Sequence, residues 1–560
     1  MDYRDSYNRW LKEVKDEELL NELQEMTEKE IEDSFYRNLS FGTGGLRGII
    51  GAGSNRMNVY TVAKASQGLA DYLIKRYEGS ASVVIGYDSR IKSDLFAQTS
   101  ASVFAANGVI VHLWPRLNPV PTVSFATRYL RASAGVMITA SHNPSKYNGY
   151  KVYGADGCQI TTETASEILT EIEKLDTFTD VKKMTFEDAI KEGKVKYISD
   201  DVLTAFIEEV KAQSVLFGDE IDYNVAIVYS PLNGTGYIPV TRALDETGFR
   251  NVILVEKQRL PDGNFPTCPC PNPEIKEALT LGLEYCRKYN ADLMLATDPD
   301  CDRVGVAVKD KDGDYVLLSG NETGMLLLDY ICSQRTKHGK MPDDPVMIKT
   351  IVTMDMGTQI AKSYGVRTID VLTGFKFIGE QVGYLEKAGK EDSFIFGFEE
   401  SYGYLSGGYV RDKDAVDGAY LICEMFAYYK TRGISLLDKL NELFDKYGYC
   451  LNTLHSYGFE GSAGMAKMSE IMKKFRTEVG EGYVFAGKKV NTVLDYSKGL
   501  DGLPKSDVLK YLLEDNCSVV VRPSGTEPKL KAYISVSAKN KGEAEKIEAK
   551  IKDELEGLLK

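Results

Sequence analysis

Short apolar runs of β type alternate with amphipathic helical segments along most of this 560-residue chain. The runs are "SVVIGYD" near residue 82, "GVMITA" near 135, "YNVAIVYS" near 223, "ADLMLATD" near 291, "VMIKTIV" near 346 and "SFIFGFEE" near 393. Between them lie segments with helical spacing, such as "SDLFAQTSASVFAANG" and "EIKEALTLGLEYCRKYN". This alternation predicts an α/β fold, in which ligands gather where strands end in loops. Each conspicuous polar motif of the chain stands at such an end.

The length exceeds what one hydrophobic core serves, so about three to five domains are expected. A Lys-rich segment from about 174 to 200 interrupts the alternation, which restarts near 320, and the composition changes again in the last hundred or so residues. We therefore predict three related α/β mixed-sheet domains and a C-terminal α+β domain, with boundaries at 1–205, 206–320, 321–441 and 442–560.

The net charge of −14 disfavours nucleic acid as a partner, because phosphate backbones are bound by broad basic surfaces. Hydrophobic residues make up 43% of the chain, yet no apolar run approaches the roughly 20 residues that cross a bilayer. The charged N-terminal segment does not resemble a signal peptide, so we expect a cytoplasmic protein without a membrane partner. If the ligand is a phosphate, its cationic partners must lie in local Gly-rich loops.

The stretch "VMITASHNPSKYNGYK" places Ser141 and His142 in a tight polar turn after an apolar run, with Lys151 ten residues beyond the serine. Asn, Pro, Ser and Gly are also ordinary turn residues, so this cluster alone is equally consistent with a simple chain reversal. A hydrolase nucleophile is expected in a G-x-S-x-G elbow, which is missing here. A phosphorylated serine would instead be a phosphoryl donor, and its charge would require a metal ion and nearby cations.

In "ATDPDCDRVG", Asp298, Asp300 and Asp302 alternate directly after a predicted strand. In an extended loop, residues two apart project to the same side, so three carboxylates can converge on a hard cation. Magnesium suits this set better than zinc, since no His or Cys pair joins it, and the EF-hand pattern is missing. Arg303 follows and is a candidate phosphate contact. The alternative is a solvated acidic turn.

Four other loops contain candidate ligand residues. "VRPSGTEPKLKAY" follows a strand and combines an arginine fork, two hydroxyls and a glycine, which suits a phosphate cradle. The candidates there are Arg522, Ser524, Gly525, Thr526 and Lys529. The other three loops are "TGFKFIG" with Thr373, Gly374 and Lys376, "FGFEESYGY" with Glu399, Glu400 and Ser401, and "FGTGGLRG" with Arg47. Adjacent carboxylates such as Glu399 and Glu400 suit sugar hydroxyls, although each loop alone is more often simply solvated.

The chain has nine cysteines, and the closest pair is Cys268 and Cys270 in "PTCPCPNPE". A CxC pair without a second pair is weak evidence for zinc, and an incidental loop of reduced thiols is the favoured interpretation.

Together, "TASHNPSKYNGYK", "DPDCDRVG", "GFEES" and "RPSGTEPK" closely resemble the α-D-phosphohexomutase superfamily, in whose order they occur. The length, "FGTGGLRG" and "TGFKFIG" resemble its phosphoglucomutase/phosphomannomutase branch. The resemblance implies four domains around a central cleft and interconversion of α-D-glucose 1-phosphate and glucose 6-phosphate through a phosphoserine. It also implies Mg²⁺ as cofactor, glucose 1,6-bisphosphate as intermediate and activator, and sugar phosphates as small-molecule partners of a monomer or homodimer.

The resemblance assigns roles to the motif residues. Ser141 would carry the phosphoryl group, and Asp298, Asp300 and Asp302 would bind magnesium together with that phosphate. Glu399 and Ser401 would contact sugar hydroxyls, with Arg47, Thr373, Gly374 and Lys376 also near the substrate. Lys151 matches a family lysine proposed as general base or acid, and His142 matches the histidine beside the phosphoserine. Arg522, Ser524, Gly525, Thr526 and Lys529 would hold the phosphate that is not being transferred.

The specificity stays open at this point. Many bacterial phosphomannomutases have a Gly-His pair shortly after the Glu-x-Ser of the sugar loop, whereas this chain reads Ser401, Tyr402, Gly403, Tyr404. Glucose is favoured, but a mannose or pentose phosphate mutase, or one with dual specificity, is the alternative. Two other classes also fit some of these motifs: a sugar-phosphate-binding regulator without turnover, and a metal-dependent phosphomonoesterase.

Overall fold

The computed structural model describes residues 2–42, 44–459, 461–500, 502–523 and 529–559. The chain divides into two compact units. Unit 1 comprises Met1–Ser319, Phe375–Phe394 and Ser401–Thr431, and unit 2 comprises Gly320–Gly374, Ile395–Glu400 and Arg432–Lys560. No helix within the described ranges has both the length and the apolar character that a membrane span requires.

The N-terminal part of unit 1 is an α/β layer around one mixed sheet. Its elements are α1 (Tyr3–Glu13), α2 (Glu17–Glu25), α3 (Glu28–Phe35), β1 (Leu46–Ile49), α4 (Val59–Arg76), β2 (Ser82–Tyr87), α5 (Ser93–Ala106), β3 (Ile110–Leu113), α6 (Val120–Tyr129), β4 (Ala134–Ile138), β5 (Tyr147–Gly154), α7 (Thr162–Lys174), α8 (Phe186–Lys191), β6 (Val195–Tyr197) and α9 (Asp200–Ala212). The strand order is β1-β5-β4-β2-β3-β6, with β2, β3, β4 and β6 parallel and β5 antiparallel to both of its neighbours. The Lys-rich segment therefore adds edge strand β6 to the sheet; only Val195 of that strand is buried, so no apolar run marks it in the sequence.

The buried strand β4 explains why a continuous apolar run predicted a strand at this position. All five of its residues, AGVMI, are buried, as expected for a strand covered by helices on both faces. Leu69 of α4 and Phe104 of α5 pack with Ile85 and Val136 of the sheet in one core cluster. Because β2 and β4 are parallel neighbours, the loops that follow them begin at the same edge of the sheet.

The second α/β layer of unit 1 has a smaller mixed sheet. Its elements are β7 (Ile227–Ser230), α10 (Tyr237–Glu246), β8 (Val252–Leu254), α11 (Glu256–Arg259), α12 (Lys276–Tyr289), β9 (Leu293–Thr297), β10 (Val304–Lys309) and β11 (Tyr315–Leu318). The strand order is β11-β10-β9-β7-β8, with β7 parallel to β8 and β9, and with β10 antiparallel to β9 and β11. The aspartate motif is thus the turn of the β9–β10 hairpin.

The chain then alternates between the two units. The elements are α13 (Gly320–Lys337), β12 (Val346–Thr350), α14 (Met356–Ser363), β13 (Arg367–Val371), α15 (Phe375–Lys387), β14 (Phe394–Glu399), β15 (Gly403–Leu405) and α16 (Ala415–Thr431). Within unit 2, the strand order is β13-β12-β14 and β12 is parallel to β13. The helices α15 and α16 and the strand β15 belong to unit 1.

The C-terminal part of unit 2 is an antiparallel sheet with helices, which confirms the predicted α+β class. Its elements are α17 (Leu436–Tyr447), β16 (Tyr449–Gly458), α18 (Gly461–Glu478), β17 (Val484–Phe485), β18 (Lys488–Asp495), β19 (Leu509–Leu513), β20 (Ser518–Pro523), β21 (Lys529–Ala538) and α19 (Lys541–Leu558). The strand order is β16-β21-β20-β19-β18-β17. Phe475 of α18 and Ile551 of α19 pack with Val519 and Ile534 of the sheet.

Candidate active site

Ser141 lies in the β4–β5 loop with its backbone in the left-handed region, at a φ of 53°. The residue is only 4% exposed. Its N–H donates to the Thr139 hydroxyl at 2.8 Å, and its own hydroxyl donates to Asp298 Oδ2 at 2.8 Å. His142 Nδ1 lies 3.0 Å from the same hydroxyl oxygen. The loop therefore presents one serine hydroxyl to a carboxylate on one side and to an imidazole on the other.

A buried arginine holds this loop in place. The guanidinium of Arg90 donates to the carbonyls of Pro144 and Tyr147, each at 3.0 Å, and to those of Ser141, at 2.5 Å, and Asn143. Four backbone carbonyls of one loop thus converge on a single side chain that is fully buried. Charge-assisted bonds of this kind stabilise a backbone conformation that sterics alone disfavour.

Asp88 completes the support beneath the loop. Its carboxylate accepts the hydroxyl of Thr139 at 2.6 Å and that of Ser93 at 2.8 Å, and it lies 3.4 Å from Arg90 Nε. Sequence reasoning missed both Asp88 and Arg90. A signal was present, because "DSR" follows β2 directly and β2 ends at the same sheet edge as β4.

The three aspartates converge, although not by the predicted route. The β9–β10 loop is a turn and not an extended segment: Cys301 has a φ of 53°, and its N–H donates to the Asp298 carbonyl at 2.9 Å. The loop is short enough that the turn, and not strand alternation, gathers the carboxylates. One oxygen from each of Asp298, Asp300 and Asp302 lies within 4.8 Å of the others, and all three residues are at most 1% exposed.

This carboxylate cluster has the properties of a site for a hard divalent cation. Among the described residues, Asp300 Oδ1 and Asp302 Oδ1 are buried and accept no hydrogen bond. Burial and the neighbouring charges of Asp300 and Asp302 raise the pKa of Asp298 well above its ordinary value. Orphaned buried oxygens are costly, and a cation ligated by oxygen atoms would satisfy them and relieve the repulsion. The donor set fits Mg²⁺ better than a softer metal.

Two lysines flank the cluster. Lys151 Nζ lies 2.8 Å from Asp300 Oδ2 and 3.4 Å from Asp302 Oδ2, and Lys413 Nζ lies 3.3 Å from Asp302 Oδ2. Burial acts to raise the pKa of Asp302, but Lys413 and Lys151 lower it below the ordinary value. Sequence reasoning identified Lys151 and missed Lys413, since nothing local distinguishes "VRDKDAV" from a solvated charged loop.

The segment 268–274 contacts the serine loop and Arg303. Arg303, predicted to contact a phosphate, forms an ion pair with Glu274. Cys270 Sγ lies 3.8 Å from the His142 carbonyl, and Cys268 Sγ donates to the Cys270 carbonyl at 3.0 Å. Burial, followed by Arg303 and Arg47, lowers the pKa of His142 well below its ordinary value.

Three further predicted residues also lie in unit 1. Arg47 is on β1 and donates to the Asn143 side-chain oxygen at 3.2 Å, beside the serine loop. Lys376 lies in the first turn of α15, where its carbonyl accepts the thiol of Cys158 at 3.2 Å. Ser401 lies two residues after the end of β14 and is half-buried.

Unit 2 positions the predicted sugar loop. Glu399, at the end of β14, is 6% exposed and accepts the backbone N–H of Gly374 at 3.0 Å. Gly374 has a φ of 113°, which favours glycine, so the Thr373–Gly374 turn presents its amide to the carboxylate. Glu400 Oε2 accepts the hydroxyls of Thr353 at 3.1 Å and Thr350 at 3.3 Å.

The predicted phosphate loop is described at its two ends. Arg522 is the last residue but one of β20 and donates to the Tyr533 hydroxyl at 3.1 Å, and Lys529 begins β21. Burial raises the pKa of Tyr533 to about 12, although Arg522 opposes the shift. Ser524, Gly525 and Thr526 lie outside the described residues.

Comparison with protein-family models gives four consecutive matches to the descriptions "Phosphoglucomutase/phosphomannomutase, alpha/beta/alpha" domains I, II and III and "C-terminal domain". The matched residues are 38–178, 204–313, 319–447 and 465–554. The matches follow the same order as the sheets and include every motif described above.

One relative shows the same family, and two solved structures share the fold. A phosphoglucomutase from Staphylococcus saprophyticus is 35% identical over 542 residues, which cover 95% of this chain and 96% of that protein. Among solved structures, the Paramecium phosphoprotein parafusin, a phosphoglucomutase in its open form, aligns with a TM-score of 0.68 at 17% identity, covering 93% of this chain and 95% of its own. An Aspergillus fumigatus N-acetylphosphoglucosamine mutase, solved with GlcNAc-6P and magnesium, aligns over the whole of both chains with a TM-score of 0.53 at 13% identity.

Proposed function

Because the chain belongs to the phosphoglucomutase/phosphomannomutase family, we propose that it interconverts α-D-glucose 1-phosphate and glucose 6-phosphate through a phosphorylated Ser141. The observation that carries the proposal is the 2.8 Å hydrogen bond from the Ser141 hydroxyl to Asp298 of the buried aspartate cluster. A phosphoryl group on this oxygen would lie beside a cation held by the same carboxylates. Glucose is preferred over mannose or pentose because a phosphoglucomutase matches nearly the full length and the sugar loop lacks the Gly-His pair.

Asp298, Asp300 and Asp302, with the phosphate on Ser141, would hold the metal ion. We propose Mg²⁺, which agrees with the all-oxygen donor set and with the magnesium in the structure of the Aspergillus mutase. When bound, the ion supplies positive charge against the transferring phosphoryl group. Lys151 and Lys413 supply further fixed positive charge from the protein, and Arg303 is the proposed phosphate contact from the adjoining position.

In the first transfer, the O6 hydroxyl of glucose 1-phosphate attacks phosphorus and the bond from phosphorus to Ser141 Oγ breaks. The sugar hydroxyl loses a proton and Oγ gains one, so a group that exchanges protons must lie near Oγ. His142 Nδ1 lies 3.0 Å from Oγ, whereas Lys151 is engaged by two carboxylates. We therefore propose that His142 exchanges the proton with Oγ in the phosphorylated enzyme, where the charge of the phosphate would favour a protonated imidazole, and that Lys151 supplies electrostatic stabilisation.

The product of this transfer is glucose 1,6-bisphosphate on a dephosphorylated enzyme. After it turns around, its O1 phosphoryl group returns to Ser141 and glucose 6-phosphate leaves. Glu399 and Ser401 are the proposed contacts of the sugar hydroxyls, with Thr373, Gly374, Lys376 and Arg47 near the substrate. Arg522, Ser524, Gly525, Thr526 and Lys529 are proposed to bind the phosphate that is not being transferred. Free glucose 1,6-bisphosphate would activate the enzyme by phosphorylating Ser141.

The remaining parts of the proposal concern the whole chain. We propose four domains at 1–205, 206–320, 321–441 and 442–560, in support of which the four family models match successive segments. We further propose a cytoplasmic monomer or homodimer whose partners are small sugar phosphates. The net charge of −14 disfavours nucleic acid.

The proposal is tested by following phosphorus NMR of the protein with Mg²⁺, a trace of glucose 1,6-bisphosphate and one sugar phosphate at a time. Glucose 1-phosphate, mannose 1-phosphate and ribose 1-phosphate form the panel. We expect rapid conversion of glucose 1-phosphate to the 6-phosphate, and slower conversion of the other two. Release of inorganic phosphate would indicate a phosphatase, and no change with any sugar would indicate a binding protein.

Arg522 should contribute to substrate binding more than to stability. We expect Arg522→Ala to raise the KM for glucose 1-phosphate about tenfold or more, because the substitution removes a forked charge-assisted contact to phosphate. Arg522→Lys keeps the charge without the fork, so its KM should fall between those of the wild type and Arg522→Ala. Initial rates at varied substrate give the KM, and thermal melting checks the fold. An unchanged substrate dependence would remove Arg522 from the phosphate site.

A further inference from the structure

The 350–355 loop, which comprises the last residue of β12 and the connection to α14, contacts the sugar loop through two threonines. Thr350 and Thr353 share a hydrogen bond of 2.8 Å, and both contact Glu400, the neighbour of Glu399. Both threonines are at most 2% exposed. The 350–355 loop therefore helps to fix the position of the carboxylate pair at the end of β14.

Lys510 of the C-terminal sheet holds the same loop from its other side. Its ammonium group donates to the Ile351 carbonyl at 2.9 Å and lies 3.2 Å and 3.3 Å from the two oxygens of Asp355. The lysine is 5% exposed, so these contacts form in a poorly solvated place where they are strong. One side chain thus binds both the beginning and the end of the loop.

Lys510 is also connected to the phosphate-binding strand. It lies on β19 directly opposite Val520 of β20, and Arg522 follows two residues later on that strand. A continuous series of paired groups therefore runs from Arg522 through the β19–β20 ladder to Lys510, then through the 350–355 loop to Glu400 and Glu399. All of these residues belong to unit 2.

We propose that Lys510 is a positioning residue, which fixes the sugar-binding carboxylates of β14 relative to the strand that carries Arg522. This inference rests on the proposed function, because it assigns sugar binding to Glu399 and phosphate binding to Arg522. Lys510 itself contacts neither ligand. Its role is to set the distance over which a sugar hydroxyl and a phosphate of one substrate are recognised together.

The ion pairs around Lys510 make it possible to distinguish a positioning role of this lysine from a role in stability alone. Asp355 also pairs with the buried Lys349 at 2.9 Å, and Lys349 pairs with Asp370 at 2.8 Å. If Lys510 is replaced by methionine, Asp355 keeps the Lys349 partner and no unpaired buried carboxylate remains. The substitution removes the hydrogen bonds that anchor the loop, so the expected effect is a displaced sugar loop in a folded protein.

The test compares Lys510→Met, Lys510→Arg and Lys488→Met in steady-state turnover and thermal melting. Lys488 is a suitable control, since it lies on the neighbouring strand β18 with its side chain 13% exposed and forms an ion pair with Asp515 at 2.7 Å. We expect Lys510→Met to raise the KM for glucose 1-phosphate about tenfold. Lys510→Arg should keep the KM close to the wild-type value, because it retains the positive charge and the hydrogen-bond donors. Lys488→Met should leave the KM unchanged.

Thr353→Val tests the same connection without changing Lys510. If both side chains act through the 350–355 loop, the KM effects of the two single variants should not multiply in the double variant. An unchanged KM in Lys510→Met, an equal rise in Lys488→Met, or fully multiplicative effects would overturn the inference. If Lys510→Met does not fold, Thr353→Val decides the inference: a raised KM supports it, and an unchanged KM overturns it. A wild-type protein that turns over no sugar phosphate would instead refute the proposed function.

Discussion

Ser141→Ala is expected to abolish turnover, with a loss of more than about 10⁴-fold, because the oxygen that accepts and donates the phosphoryl group is removed. The change deletes one hydroxyl whose partners are Asp298 and His142. The loop should keep its shape, since Arg90 holds it through backbone carbonyls that alanine retains. The stability of the fold should therefore change little.

Phosphorylation of the protein is the more direct measurement. Incubation with glucose 1,6-bisphosphate followed by intact-mass spectrometry should show one added phosphoryl group on the wild type and none on Ser141→Ala. Ser145→Ala is the matched control, because Ser145 lies in the same loop and has no assigned role. A phosphorylated Ser141→Ala protein, or one that retains turnover, would place the acceptor elsewhere.

The fold class was predictable from the sequence, and so was the location of the candidate site motifs at the ends of strands. Buried strands such as β4 and β9 are continuous apolar runs, and the polar residues after them mark the carboxyl edges of the sheets. Ser141 and Asp298 both follow such strands, and the structure brings their side chains to 2.8 Å. Local sequence therefore indicated two residues of the candidate site that the structure places in contact.

Residues whose role depends on distant partners were not predictable in the same way. Lys413 approaches Asp302 from a segment more than one hundred positions away, and its own surroundings carry no signal. Arg90 acts on the carbonyls of another loop, so only the pairing of β2 with β4 reveals it. In both cases, it is a tertiary contact that connects the residue to the candidate site.

The geometry of the aspartate turn shows a further limit of prediction from local sequence. Alternating aspartates suggest an extended loop, but the chain turns at Cys301 with a φ of 53°. The short β9–β10 connection forces this turn, and strand pairing is not visible in the local pattern. The convergence of the carboxylates was therefore predicted correctly, but for the wrong reason.

Asp300→Asn should reduce turnover about 10³-fold or more at ordinary Mg²⁺ concentrations, because one anionic ligand of the proposed cation becomes neutral. The substitution preserves shape, so loss of packing does not explain the effect. It also removes the carboxylate that Lys151 contacts at 2.8 Å, which weakens the placement of that ammonium group. Near-normal turnover would refute the metal role of Asp300.

Thermal stability separates metal binding from catalysis in this variant. A ligand that binds the folded state raises its stability in proportion to the logarithm of concentration over Kd, so Mg²⁺ should raise the Tm of the wild type. The rise should be smaller in Asp300→Asn, because one of the proposed ligands has lost its charge. Asp312→Asn, at an exposed turn of the same sheet, should follow the wild type in both measurements. Equal Mg²⁺-dependent rises in all three proteins would place the cation away from Asp300.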